Sequence, residues 1–473
     1  MTVSTGTLIG STQNGIDSFL GVPYAAPPVG DQRFRLPAAA VPWDGVRDAT
    51  THGATAPQAP FPGALGELLT TVEIPGDEYL NLTVWTPSKR AAKLPVMVWI
   101  HGGSLTRGSN AVPGYNGTQF ARDGVVFVGI NYRVGVEGFS VLDGAPLNLG
   151  IADQFAALRW VQAEIENFGG DPRQVTVFGE SAGGNSIAAL LAHPDAPSLF
   201  RAAIIQSGPL NARSRRTSGR LTRLIAKKLG ISTTRDAFAA VSSADLVAAQ
   251  SAVTAGSTPI SGGASVSMAI GEDVVPTNPE TALCAGAGDG IPLLIGTNTE
   301  EYRLWVLPSG LISTIGRRHI AVARLAFRIR GRTMRTYRAN RPGASSGELF
   351  GVLATDLLLR LPMNRLADAR LARHAKTWVY EFAWRSPVLD LGAAHALEIG
   401  FVFDGVDHPD SRKLAGTDAP QSIATDMHDA WVRFAKTGDP GWPAWDATRP
   451  VRLYDVPVTT VHAPREDERA SWS

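Results

Sequence analysis

A chain of 473 residues has room for one large α/β domain or for two to three average ones. Its 44 Lys and Arg offset 43 Asp and Glu, and a net charge of +1 supplies no global field for nucleic acid or an anionic membrane. Cys284 is the only cysteine, which excludes an intrachain disulfide and suits a reducing, cytoplasmic setting.

The opening residues, "MTVSTGTLIGSTQNG", lack the basic and long apolar regions of a secretory signal, and no apolar run nears the length of a membrane span. No membrane partner is expected. Tyr79 to Thr86 alternates Leu80, Leu82 and Val84, which predicts a half-buried strand. Val96 to Ile100 is continuously apolar and breaks at His101-Gly102-Gly103; Val125 to Ile130 reads as the next buried strand. From Leu149 to Phe168 the period changes. Ile151, Phe155, Leu158, Val161 and Ile165 share one helical face, and Gly169-Gly170-Asp171-Pro172 ends the helix.

Val175 to Phe178 follows as a strand and Gly183 to Ala192 as a helix. Later strands are predicted at Ala202 to Gln206, Pro292 to Ile295, Trp378 to Phe382 and Val451 to Tyr454. The span from Asn211 to Gly290 reads mostly as helices and loops. Two basic stretches, Arg213 to Lys228 and Arg317 to Arg341, interleave charge with apolar residues and read as solvated helix faces. No repeat or low-complexity linker divides the chain. Apolar runs, turn residues and helical patterns alternate in the rhythm of an α/β fold.

Gly179-Glu180-Ser181-Ala182-Gly183 fits G-x-S-x-G, in which a serine occupies a sharp strand-to-helix turn. Glycines two residues either side let backbone pack without a Cβ clash. The helix that follows points free N–H groups at the serine, Ala182 N–H among them. A second match, Gly343-Ala344-Ser345-Ser346-Gly347, follows the polar "RTYRANRP" and reads as a flexible loop. Context separates the two serines.

A serine needs a base and a group that orients the base. Of nine histidines, His395 in "LGAAHALEIGFVF" and His408 are left after those on helices and in polar ends are set aside. His395 lies in a loop-like stretch beyond the strand Trp378 to Phe382, where open α/β sheets gather functional groups. For the acid, the strand Pro292 to Ile295 ends in "GTNTEEYRLW", and the adjacent Glu300 and Glu301 face different ways. Serine, acid and histidine in that chain order match the α/β-hydrolase arrangement. His101-Gly102-Gly103-Ser104, after another strand, turns backbone N–H groups toward the same cleft as an oxyanion hole.

With these residues in place, the sequence resembles the type B carboxylesterase family, which includes cholinesterases, bacterial p-nitrobenzyl and paraben esterases and the non-catalytic neuroligins. "FLGVPYAAPPVGDQRF", "DEYLNLTVWTP", "NLGIADQFAALRWVQAEIENFGGDPRQVTVFGESAGG" and "FAKTGDP" carry the resemblance nearly end to end. It implies one α/β-hydrolase domain over residues 1–473, with a mostly parallel central sheet, helices on both faces and helical insertions. It also implies Ser181 as nucleophile, Glu301 as acid and His395 as general base. Gly103, Ser104 and Ala182 would donate N–H groups to the oxyanion, and Glu180, beside the nucleophile near the cleft floor, would either tune the field at the histidine or satisfy buried hydrogen bonds. The expected reaction is hydrolysis of small-molecule carboxylic esters through an acyl-enzyme, with no metal and no cofactor. A non-catalytic interaction protein on the same fold, or an amidase or carbamate hydrolase, is the alternative.

Departures from the family pattern sharpen the expectation. Tyr302 stands where the acid motif often has glycine, and Ser104 replaces a common third glycine. Ala56 and Tyr79 occupy the positions of the family's first disulfide, and the loop between them has no tryptophan, which argues against a choline ester.

Overall fold

The apolar runs pair into one sheet of eleven strands, built along the whole chain. The computed structural model describes residues 1–88, 93–257 and 263–472. In chain order the strands of this sheet are β1 (Ser11–Gln13), β2 (Ile16–Pro23), β3 (Asn81–Pro87), β4 (Leu94–Ile100), β5 (Val126–Ile130) and β6 (Gly170–Glu180). They continue as β7 (Ala202–Gln206), β8 (Leu293–Asn298), β9 (Thr377–Phe382), β10 (Pro450–Tyr454) and β11 (Thr459–His462).

Across the sheet the order is β11-β10-β9-β8-β7-β6-β4-β5-β3-β2-β1. From β10 through β5 every pairing is parallel. The β1–β2, β2–β3 and β3–β5 pairs, and β10–β11 at the far edge, are antiparallel. Parallel strands are buried on both faces, which is why Val96–Ile100 and Val126–Ile130 read as unbroken apolar runs rather than as alternation.

The helices that matter here are α1 (Leu149–Glu164), α2 (Ala182–Ala192), α3 (Arg317–Ala326), α4 (Gly331–Ala339), α5 (Ser346–Thr355) and α6 (Gln421–Thr437). Each strand residue faces opposite to its neighbour, so the sheet makes two cores. Val96, Val98 and Ile100 pack with Ile151, Phe155, Leu158 of α1 and Ile187, Leu190 of α2. Met97 and Trp99 pack on the other face with Ile423, Met427, Trp431 and Phe434 of α6. Helices therefore cover both faces.

The predicted elements sit close to the observed ones. The helix expected to reach Phe168 stops at Glu164, and Ile165–Phe168 tightens into a 3₁₀ turn closed by Gly169 at φ 86°. Strand β6 begins five residues before Val175 because Gly170 already pairs with Leu94. Among the described residues between Asn211 and Gly290 the helices are Arg215–Leu229, Arg235–Ala239, Ser243–Thr254 and Pro279–Cys284, with one short strand pair. Among the described residues, no helix is long and apolar enough to cross a membrane.

Candidate active site

Strand β6 ends at Glu180 and α2 begins at Ala182, so Ser181 alone makes the turn, at φ 56° and ψ −117°. A side chain there is strained, and the surroundings hold it. Ser181 N donates to Gln206 O at 2.9 Å, and Asn185 N donates to Ser181 O at 2.8 Å. The flanking glycines have a concrete reason. A Cβ on Gly179 would stand 2.5 Å from Ile100 O, one on Gly183 would overlap the same oxygen, and one on Gly184 would come within 2.9 Å of Gly208 Cα. Strand β4 thus lies against the corner with no room for a methyl group.

Ser345 is placed differently. It is no flexible loop: it caps α5, its hydroxyl accepting from Glu348 N at 3.2 Å while Glu348 Oε2 accepts from Ser345 N at 2.8 Å. The reciprocal bonds make a capping box. The polar run before it concealed a helix start.

Beyond β8 the chain turns so that the two adjacent glutamates part. Glu300 pairs with Arg303 at 2.9 Å and with Arg385, and its carboxylate also accepts from Ala393 N. Glu301 points inward and is 1% exposed. Its Oε1 accepts from Ser207 Oγ at 2.6 Å and from Asn298 N at 2.7 Å, which leaves Oε2 for His395 Nδ1, also at 2.6 Å. An ionised carboxylate only accepts, so Nδ1 carries a proton, and when the ring is neutral the lone pair is on Nε2.

His395 Nε2 lies 3.0 Å from Glu180 Oε1, without the alignment of a hydrogen bond for either atom. Burial alone would push the imidazolium down, but the charges of Glu180 and Glu301 outweigh it and hold His395 well above its ordinary value. Burial, followed by the Glu301 charge, raises the Glu180 carboxyl against the opposing pull of His395. The Trp305 ring stands 4.5 Å from the imidazole, centroid to centroid, inclined by 41°. Its contact is with the histidine itself.

A third buried carboxyl completes the group, and sequence reasoning did not single it out. Glu398 is fully buried and receives Asn298 Nδ2 at 2.7 Å and Gln206 Nε2 at 3.3 Å; Gln206 in turn accepts from Trp431 Nε1 at 3.0 Å. Burial first, then the charges of Glu180 and Glu301, push Glu398 up to about 8. The available signal was an acid three residues after the histidine inside the apolar run "HALEIGFVF".

The glycine loop lies on the serine. A Cβ on Gly102 would be 2.8 Å from Glu180 Oε2 and 3.2 Å from Ser181 Cβ. Gly103, Ser104 and Leu105 follow at φ 108°, 59° and 58°, a run of left-handed residues that turns successive N–H groups one way. His101 anchors the loop's start: it is buried, stacked on Tyr132 at 4.4 Å, and burial lowers it to about 4. It is neutral and structural. His408, the other candidate base, is apart from this cluster and caps the helix Pro409–Ala415 by accepting from Asp410 N. Among the described residues, no group of three or more His, Cys, Asp or Glu has the arrangement of a metal site.

The sequence profile described as "Carboxylesterase family" matches residues 1–456. A para-nitrobenzyl esterase of Bacillus subtilis is 36% identical over 99% of this chain and 97% of its own length. A phenmedipham hydrolase of Pseudarthrobacter oxydans is 33% identical over 95% of this chain and 93% of its own. The crystal structure of a Geobacillus stearothermophilus carboxylesterase superposes with a TM-score of 0.89 at 34% identity, covering 99% of both chains.

Proposed function

This chain belongs to the carboxylesterase family and is an ester hydrolase of the α/β-hydrolase fold, and we propose that Ser181, His395 and Glu301 carry the reaction. The observation that supports this most is the state of the His395 ring. In the neutral ring Nδ1 donates its hydrogen to Glu301, which leaves the lone pair on Nε2, beside the residue that precedes Ser181.

His395 removes the Ser181 proton as Oγ attacks the ester carbonyl carbon. The carbonyl oxygen takes the electron pair and is met by N–H groups of Gly103, Ser104 and Ala182. Removing one donor of this type costs about 10²–10³ in rate. The imidazolium then gives its proton to the alkoxy oxygen, the C–O bond breaks and the alcohol departs. Water repeats the cycle on the acyl-enzyme, returning the acid and free Ser181. Glu180 and Glu301 lie on either ring nitrogen and favour the cationic ring that both half-reactions pass through.

The chain works as a single α/β-hydrolase domain over its length in this reading, supported by a sheet whose strands run from Ser11 to His462. A cytoplasmic site of action is supported by Cys284 as the sole cysteine. The test is a p-nitrophenyl ester series of increasing acyl length, with one amide and phenmedipham added because of the relative named for that compound. Labelling of Ser181 by a fluorophosphonate, followed by peptide mapping, reads the nucleophile directly. Turnover of esters with label on another residue would overturn the assignment.

A further inference from the structure

The balanced net charge conceals one lopsided segment. Between Tyr302 and Gly347 there are ten arginines and no acidic residue, in a chain whose total is only +1. The two longest helices lying within this segment are α3 and α4, each of which buries one narrow stripe. Ile320 of α3 and Met334, Tyr337 of α4 enter a small core with Tyr302, Val306, Ile329 and Leu349.

The outer surface is unlike an ordinary solvated helix face. Val322 is 67% exposed, Leu325 84% and Phe327 58%. These are three of the nine large exposed hydrophobic residues among those described, gathered within six positions. At 100° per residue, Val322 and Leu325 lie on the side of α3 opposite Ile320 and Ala323, so packing does not explain them. Around them Arg317, Arg318, Arg324, Arg328, Arg335 and Arg338 are exposed and form no ion pair among the described residues, whereas Arg303 and Arg341 at the segment's ends are paired with Glu300 and Glu468. The two helices share one surface: Arg324 Nη2 and Arg335 Nη1 both come within 4 Å of where a Cβ on Gly331 would be.

We propose that the α3–α4 face docks on an anionic phospholipid surface. Arginines without carboxylate partners are drawn to negative headgroups, and the exposed Leu, Val and Phe enter the layer beneath them. A nucleic-acid backbone satisfies the first feature and leaves the second in water. Each arginine near an anionic membrane strengthens binding by about fivefold, so six of them suffice for reversible docking without a spanning helix. Neither a net charge of +1 nor the absence of a long apolar run bears on such a site. The docking surface adjoins the esterase site, because Tyr302 and Val306 share the small core while Trp305, on the same turn, meets His395. The docking itself does not depend on the esterase assignment.

The experiment is co-sedimentation of the full chain with vesicles of phosphatidylcholine alone and of phosphatidylcholine with roughly one-third phosphatidylglycerol. Binding at least tenfold tighter to the anionic vesicles is expected, and it should be lost as salt shortens the Debye length. Two triple variants, Val322→Ser with Leu325→Ser and Phe327→Ser, and Arg318→Gln with Arg324→Gln and Arg328→Gln, should each lose at least tenfold in vesicle binding. Both should hydrolyse a soluble p-nitrophenyl ester within twofold of the parent, which shows that they fold. Equal binding to both vesicle types, or unchanged binding by the variants, overturns the proposal. So does a concentration-dependent dimer that the serine variant abolishes in the absence of vesicle binding, since the face would then be a contact between copies.

Discussion

Glu301 Oε2 and His395 Nδ1 are 2.6 Å apart although 94 residues of chain separate them, and both side chains are buried. Strands β8 and β9 are neighbours and parallel, with Asn298 opposite Phe382, so the loops beyond them leave the sheet at the same edge. The pair therefore depends on sheet order, and the consequences for catalysis can be measured.

Ser181→Ala should lower ester turnover by about 10⁴-fold or more while leaving the melting temperature close to that of the parent. Ser345→Ala should do the reverse. It removes the cap of α5, costs about 1 kcal/mol of stability and leaves turnover unchanged. Steady-state kinetics and thermal melts on the two variants separate a reacting serine from a capping one.

The acid limb of kcat/KM should lie above 6.5. His395 works as a base only when neutral, and its folded value is raised, so activity falls as pH drops through that raised value. Glu180→Gln removes one of the two charges that raise it. The limb should then move to lower pH, and the variant should keep a larger fraction of its own maximum at pH 6. An unmoved limb would assign Glu180 a purely structural part.

Glu398 should keep its proton at neutral pH, because its carboxyl titrates at about 8 when folded against 4.5 for the ordinary side chain. The unfolded chain releases that proton near 4.5 and the folded chain holds it to about 8, so stability declines as pH rises across this window. Glu398→Gln has no proton to lose. Its melting temperature relative to the parent should climb between pH 5 and pH 8, by an amount on the order of a few kcal/mol in stability. A constant difference would show that Glu398 is already ionised.

Gly183→Ala should destabilise the protein by about 3 kcal/mol or more, or prevent its accumulation, since the added methyl group overlaps Ile100 O in the middle of the sheet. Gly290→Ala meets nothing within 4 Å and should be close to neutral. Urea denaturation of the pair compares a glycine required by backbone approach with one that is not.

Periodicity and turn chemistry carried much of this architecture. Ala202–Gln206 was legible to the residue because both faces of a central parallel strand are apolar, and Val96–Ile100 ended where the glycines begin. The short edge strands β1 and β11 were not, since exposure and few residues leave no pattern to count. Ser345 misled for a related reason: a capping serine and a loop serine differ only in what the following residues do.

By itself the sequence determined the local features: a serine at a strand-to-helix corner, a glycine loop after β4, and an acid and a histidine each beyond a later strand. These follow from neighbours a few residues apart, whose backbone preferences are local. The residues alone left open which of two adjacent glutamates faces the imidazole, and the family resemblance pointed to Glu301; only the tertiary structure decided that Glu398 joins the same buried group, and that arginines of α3 and α4 share a face without acidic partners among the described residues. Burial and charge act through space, and the distances that govern them exist only once the sheet has brought remote segments together.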